Sequence, residues 1–275
     1  MPDKIKTAMV LCAGLGTRMA SANNALPKPL VPLRGKALID HVLDRHAEAG
    51  IERVVVNVHH KADLIEAHLK GRPSPRIEIS DEREKLLDTG GGVKRALPHL
   101  GAGPFLIHNS DSVWIEGVGS NLGLLMEAWD DAQMDCLMLL ALTSQSLGYQ
   151  GRGDFVFEAD GRIRRRPVEQ ELVPFVFAGV SVAHPRLFDG SPAGAFSLNA
   201  VWDKAIAAGT IHLLLLSPFA FHKVVTKIHA PHAVREKLTR IPAVATVAVA
   251  RKKTLCAFLV PAAEPIKRMY ANNAY

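Results

Sequence analysis

The 275-residue chain has only three cysteines, Cys12, Cys136 and Cys256. They are odd in number and far apart, two lie in apolar strand-like runs, and no C-x-x-C occurs. A disulfide framework is excluded, and the pattern suits a reducing compartment. Aromatic residues are scarce at 6%. No basic-aromatic stripe of the kind that stacks bases along a strand is present, which argues against nucleic-acid binding. No apolar run approaches the ~20 residues that span a bilayer. The start, Met-Pro-Asp-Lys-Ile-Lys-Thr, lacks the apolar core of an export signal, so a cytoplasmic protein without a membrane partner is expected. No G-x-S-x-G elbow and no Cys/His nucleophile arrangement appears. Histidines are more plentiful, at 12, but His59-His60 and His229-x-x-His232 lack further ligands at zinc spacing.

What is present is the composition of an ordinary globular protein, with 48% hydrophobic and 22% charged residues. The net charge of +6 suits small polyanionic substrates. The most informative stretch is Leu11-Cys12-Ala13-Gly14-Leu15-Gly16-Thr17-Arg18-Met19, followed by Leu26-Pro27-Lys28-Pro29-Leu30. An apolar strand runs into a glycine-rich turn that delivers an arginine, and a proline-flanked lysine follows. Glycines let backbone N–H groups approach phosphate oxygens, and two fixed cations neutralise charge on a transferring phosphoryl group. A dinucleotide fingerprint fails because Met19 occupies the third glycine position. A Walker loop fails because Gly35-Lys36 is followed by Ala37 and preceded by no glycine at residue 30. A third design remains, in which Thr17, Arg18 and Lys28 serve one triphosphate. The competing reading is a turn that happens to carry basic residues.

Along the first half, strand and helix patterns alternate. Strands are expected at Thr7–Ala13, Arg53–Val58, Arg76–Ser80, Phe105–His108 and Cys136–Leu142. Helices are expected at Lys36–Gly50, Ala62–Leu69, Gly91–Leu97 and Asn121–Trp129. In the first, Leu38, Ile39, Val42, Leu43 and His46 share a face, and Gly50 occupies a C-terminal cap. This rhythm predicts a mostly parallel sheet with helices on both faces and ligands beyond the carboxyl ends of the strands. Gly14–Arg18 and Asn109–Asp111 both follow strands, so they fall on one rim. After Thr143 the pattern changes: a glycine-rich stretch at Gly148–Gly153, a hairpin signal at Asp160-Gly161, a strand at Pro174–Val182 and a helix at Leu198–Ala208 ending at Gly209. The run Arg162-x-Arg164-Arg165-Arg166 reads as a solvated basic edge, and Asp203 as a surface carboxylate. Beyond Leu213, the segments Leu213–Leu216, Ala243–Ala250 and Leu255–Val260 are apolar and too short to span a membrane.

Taken together, Gly14-Leu15-Gly16-Thr17-Arg18-Met19, Leu26-Pro27-Lys28-Pro29-Leu30, Leu87-Asp88-Thr89-Gly90-Gly91-Gly92, Asn109-Ser110-Asp111 and Phe196-Ser197-Leu198-Asn199 resemble the sugar-1-phosphate nucleotidyltransferases. The likeness is greatest to the branch that uridylylates N-acetylmuramate 1-phosphate in cell-wall recycling, with mannose-1-phosphate guanylyltransferases close by. It covers about residues 7 to 212.

The resemblance implies a doubly wound, Rossmann-like α/β sheet with an added β-rich sugar-binding portion. It implies a nucleotidyltransferase domain over 1–212, with a nucleotide-binding part to about 143 and a sugar-binding part over 144–212. Residues 213–275 would form a diverged C-terminal segment. Ala13, Gly14, Gly16 and Thr17 would hold the phosphates, with Arg18 and Lys28 as catalytic cations. Gly90 and Gly91 would pack against the base, where backbone approach needs no side chain. Asn109, Gly148 and Gly179 would line the sugar and ribose, and Asp111 would hold Mg²⁺. Substrates would be UTP, or GTP, and a sugar 1-phosphate. Two departures from the pattern stand out. Ala20–Asn24 replaces a Pro-Leu-Thr segment, and the C-terminal Trp-x-[Asp/His]-x-Gly-Thr-Pro segment has only Val225–Pro231 as its counterpart, with Lys227 at the polar position and His222 as a distant substitute. A protonated lysine cannot ligate Mg²⁺. A weak or inactive nucleotide-sugar-binding protein is therefore the alternative expectation.

Overall fold

The structure is a computed structural model that describes residues 5–16, 26–112, 114, 116, 119–145, 151–157 and 163–215, together with the backbone of three later strands. The elements in chain order are β1 (Thr7–Leu11), β2 (Pro32–Leu33), β3 (Lys36–Ala37), α1 (Leu38–Glu48), β4 (Arg53–Val58), α2 (Ala62–Leu69), β5 (Arg76–Asp81), α3 (Asp88–Leu100), β6 (Phe105–Asn109), α4 (Asn121–Glu127) and β7 (Cys136–Leu142). There follow β8 (Phe155–Phe157), β9 (Ile163–Arg165), β10 (Phe175–Ala183), α5 (Leu198–Ala208) and β11 (Ile211–Leu215). The three later strands are β12 (Lys223–Val225), β13 (Thr246–Arg251) and β14 (Thr254–Leu259).

The main sheet runs β11-β7-β10-β6-β1-β4-β5, with the β8–β9 hairpin attached to β10. β1 is parallel to β4 and β6, β4 to β5, and β11 to β7. β10 is antiparallel to both β6 and β7. All seven strands of that path except β10 therefore point one way, and their carboxyl ends share a rim. The chain leaves β1 for β4 and β5 on one side and returns to β6 on the other. Open α/β sheets place their ligand crevice at this reversal. β12, β14 and β13 form a separate antiparallel sheet.

The sheet is apolar on both faces because both are covered. Ala8, Val10, Val54, Val56 and Leu106 pack with α1, α2 and α4; Met9, Val55, Phe105 and Ile107 pack with α3 and α5. The five residues expected on the inner face of α1 are all buried. That helix starts at Leu38 rather than Lys36, because Lys36 and Ala37 pair with β2 first. Ser120 and Ser197 cap α4 and α5 through their hydroxyls. The expected boundary at residue 212 falls inside β11, a strand of the main sheet.

Helix α3 begins at Asp88, three residues before the expected start, and takes in the triple glycine. The Gly90 and Gly91 N–H groups both donate to the Phe196 carbonyl, at 2.8 and 3.1 Å. A Cβ on Gly90 would lie 2.4 Å from the Phe196 ring, and one on Gly91 would lie 2.3 Å from the Gly194 carbonyl oxygen. The Phe196 N–H returns a bond to Leu87 O (3.1 Å), and the Leu198 N–H bonds Thr89 Oγ1 (2.9 Å). The start of α3 is thus clasped to the segment leading into α5.

Among the apolar side chains under α1 lies a buried pair of histidines. His108 of β6 and His46 of α1 are both fully buried, with His108 Nδ1 3.1 Å from His46 Nε2. His108 Nε2 is 2.9 Å from the Ser112 carbonyl, and its ring stacks on Trp114 at 5.1 Å. Because a carbonyl only accepts, Nε2 of His108 carries the proton. Its Nδ1 then accepts from the Nε2–H of His46. Burial holds His46 well below the ordinary histidine value and pushes His108 down to about 4.

Two outcomes follow from this packing. Gly91→Ala meets backbone that cannot yield and lowers stability by about 1–3 kcal/mol, whereas Gly103→Ala, with nothing within 4 Å, leaves the urea midpoint unchanged. For the histidines, the folded state holds the neutral rings. Stability is complete above pH 6.5 and falls as pH drops towards 4, because the unfolded chain takes up protons that the fold refuses. Urea unfolding from pH 7 to pH 4.5 records a slope of up to about 1.4 kcal/mol per pH unit for each ring, and His108→Gln makes the curve shallower.

Candidate active site

The β1–β6 register sets Leu11 beside Asn109. The glycine turn leaving β1 and the Asn109–Ser112 turn leaving β6 therefore emerge side by side. They are stitched by the Ser110 N–H to Leu11 O (3.3 Å), and the second turn is closed by the Ser112 N–H to Asn109 O (3.0 Å). Lys28 opens a short 3-10 turn with Pro29 and Leu30 buried beneath it, which fixes its backbone. Gly16 takes a left-handed φ of 64°, and a Cβ there would lie 3.5 Å from Lys28 Cβ. The lysine thus packs directly under the glycine turn. Its ammonium forms a partly buried ion pair with Asp111 Oδ2. Two residues 83 apart in sequence, one cationic and one anionic, meet at the sheet's topological switch. Among the described residues, nothing lies within 4 Å of where a Gly14 Cβ would stand.

A second set of bonds supports the turn from below. The Cys12 N–H donates to Asn57 Oδ1 (2.8 Å), and Asn57 Nδ2 donates to Glu82 Oε1 (2.7 Å). Glu82 Oε2 accepts the Leu87 N–H (3.1 Å) ahead of α3. Glu82 is 1% exposed, and burial raises its carboxyl above the ordinary range. The third glycine, Gly92, leaves room for this pair: a Cβ there would lie 2.7 Å from Glu82 Oε1. Sequence reading passed over Asn57 and Glu82. A polar residue inside the β-branched run Arg53–Val58 was the available signal.

Asn109 and Gly179 also meet. Gly179 has φ 91° at an irregularity in the β10–β7 register, and a Cβ on it would lie 3.3 Å from Asn109 Nδ2 and inside the Ser112 hydroxyl. Only glycine fits there. Gly90 and Gly91 are held by protein contacts. The space their side chains would fill is taken by Phe196 and Gly194, so protein packing already requires glycine at both. Thr17, Arg18, Gly148, His222, Lys227 and His229-x-x-His232 lie outside the described residues. Arg165 is not a solvated edge. Its guanidinium bonds Asp203 (2.5 Å) and Asn199 (3.1 Å) and lies over Phe155 and Trp202. The Cys12 thiol, pushed up to about 12 by burial, is no nucleophile. Among the described residues no group of three or more His, Cys, Asp or Glu side chains converges on one point, and no helix is long and apolar enough to cross a membrane.

This geometry, a glycine turn with an adjoining lysine and carboxylate at the switch point of an α/β sheet, can hold a polyphosphate and a divalent cation. Comparison with known proteins points the same way. Residues 8–140 match the MobA-like NTP transferase domain. The chain is 48% identical over 215 residues to the N-acetylmuramate alpha-1-phosphate uridylyltransferase of Caulobacter vibrioides, covering 77% of this chain and 88% of the relative. It is 30% identical over 190 residues to the enzyme of the same name from Neisseria meningitidis serogroup B, covering 68% and 79%. The crystal structure of HddC from Yersinia pseudotuberculosis, complexed with GMP-PN, shares the fold, with a TM-score of 0.62 at 20% identity over 77% of this chain and 91% of that one. Fold, rim geometry and sequence likeness agree, and the chain belongs to the sugar-1-phosphate nucleotidyltransferases.

Proposed function

We propose that this enzyme joins N-acetylmuramate 1-phosphate to UTP, forming the UDP-sugar and releasing pyrophosphate. The observation that carries the reading is the Lys28–Asp111 contact beside the glycine turn. The choice of sugar and base is supported by the 48% identity to the Caulobacter vibrioides uridylyltransferase. In the reaction, a phosphate oxygen of the sugar attacks the α-phosphorus, the bond to the bridging β-phosphate oxygen breaks, and pyrophosphate leaves. No covalent enzyme intermediate is needed, in keeping with the high thiol pKa of Cys12. The residues act by position and charge.

In this reading Ala13, Gly14, Gly16 and Thr17 cradle the triphosphate, with Arg18 and Lys28 against its inner phosphates. Asn109, Gly148 and Gly179 face the sugar and ribose; Gly90 and Gly91 bound the base pocket from behind through the Phe196 contact. Asp111 would hold Mg²⁺. A single rim carboxylate fits that ion, which takes one or two carboxylates and completes its shell with phosphate oxygens and water. When bound, Mg²⁺ supplies neutralisation of the phosphate charge. Lys28 and Asp111 give the phosphate and its cation one opposite charge each, already fixed in place.

The test is pyrophosphate release measured for four nucleotides against N-acetylmuramate 1-phosphate and mannose 1-phosphate. UTP with N-acetylmuramate 1-phosphate gives the highest kcat/KM and requires Mg²⁺. Arg18→Ala and Lys28→Ala each lower it by roughly 10²-fold or more, as loss of a transition-state charge contact does. Preference for GTP with mannose 1-phosphate would assign a guanylyltransferase instead. Tight nucleotide binding without turnover would assign a binding protein whose altered C-terminal segment has removed catalysis.

A further inference from the structure

We propose that His108, braced by His46, is a positioning residue for the Asp111 carboxylate; this rests on the reading of Asp111 as the Mg²⁺ ligand. Asp111 stands on a four-residue turn, Asn109–Ser112. The entry of that turn is pinned to β1 through Ser110, and its closure is the Ser112 N–H to Asn109 O bond. Its exit is held by a side chain. His108 Nε2 donates to the Ser112 carbonyl at 2.9 Å from inside the core. The imidazole spans the turn from β6 to its last residue, so its position sets the height of Asp111 against Lys28.

The ring itself has no freedom. Trp114 stacks on one face with an interplanar angle of 20°, and His46 meets Nδ1 at 3.1 Å. Trp114 is itself held: Arg45 donates to its carbonyl (3.1 Å) and pairs with Glu116 (3.0 Å), which in turn accepts the Trp114 indole N–H (2.8 Å). The proton order is also fixed. With Nε2–H of His108 given to the carbonyl, His46 must donate through Nε2, and His46 Nδ1 is left a buried acceptor without a hydrogen-bond partner among the described residues. Leaving such an atom unpaired is unfavourable, and a core that only needed filling would be served by an apolar side chain. The arrangement is what a support for an oriented carboxylate requires: the ligand on a turn, and the turn on a rigid, hydrogen-bonded second layer.

The experiment separates support from packing. Asn at 108 places its amide near Nδ1 and cannot reach Ser112, whereas Gln places its amide near Nε2 and can. Mn²⁺ binding to the full chain with a non-hydrolysable UTP analogue is followed by electron paramagnetic resonance, beside metal-free binding of the analogue. His108→Asn and His108→Leu weaken Mn²⁺ by roughly tenfold or more, and His108→Gln restores it to within about threefold, the scale of second-layer effects on metal sites. Analogue affinity without metal changes little in all three. If His108→Leu fails to unfold cooperatively, the Asn and Gln pair decides. Native Mn²⁺ affinity in His108→Asn, with Asp111→Asn abolishing binding, overturns the positioning role alone. Native affinity in Asp111→Asn overturns the metal-ligand reading on which it rests.

Discussion

The pairing of β1 with β6 is the constraint on which the rest of the molecule depends. Parallel strands align their carboxyl ends, and the Leu11–Asn109 register brings the turns that follow them into contact. Everything placed on those turns, the glycines, Lys28 beneath them and Asp111 beside them, inherits that alignment. A slip of one residue would turn Leu106 and His108 to the opposite face, removing apolar surface from the α1 side and the histidine from the Ser112 carbonyl. Core packing and site geometry are therefore one requirement rather than two.

Around this pair the protein builds layers of increasing polarity. The innermost is apolar, with strand residues alternating between the two helix-covered faces. The next is polar and buried: Asn57 and Glu82 under the glycine turn, His46 and His108 under the aspartate turn. Asn57, Glu82 and His108 each bond a backbone group of a turn, and His46 reaches one through His108. Such networks are unfavourable when incomplete and rigid when satisfied. They hold backbone at the rim, where glycine-rich chain has little intrinsic preference. The outermost layer carries the charges, and of these Lys28 and Asp111 neutralise each other.

The glycines show how one residue type answers different needs. Gly179 is required by a left-handed φ and by the Ser112 hydroxyl, Gly90 and Gly91 by the segment leading into α5, and Gly92 by the Glu82–Asn57 pair. Gly14 is the contrast: among the described residues nothing lies within 4 Å of a Cβ there. In sequence all five look alike. Only the contacts distinguish a glycine that makes room for protein from one that does not.

Periodicity alone located α1, α2, α5, β4 and β7 to within a residue or two, since each buries a regular face and ends at a turn or a glycine. The glycine turn and the proline-flanked Lys28 were legible because short-range chemistry marks them. The reaction class was also legible in the sequence, through the resemblance of these motifs to the sugar-1-phosphate nucleotidyltransferases, the family to which the comparisons assign the chain. Tertiary structure decided the rest. It decided that Lys28 meets Asp111, that β10 from the second half inserts between β6 and β7, that Arg165 is paired rather than solvated, and that Gly90 and Gly91 face protein. It also decided the partners of Glu82 and His108. The reason is the same in each case. These are contacts between residues distant in sequence, set by strand order and register, and no local pattern of residues encodes which strand will lie beside which.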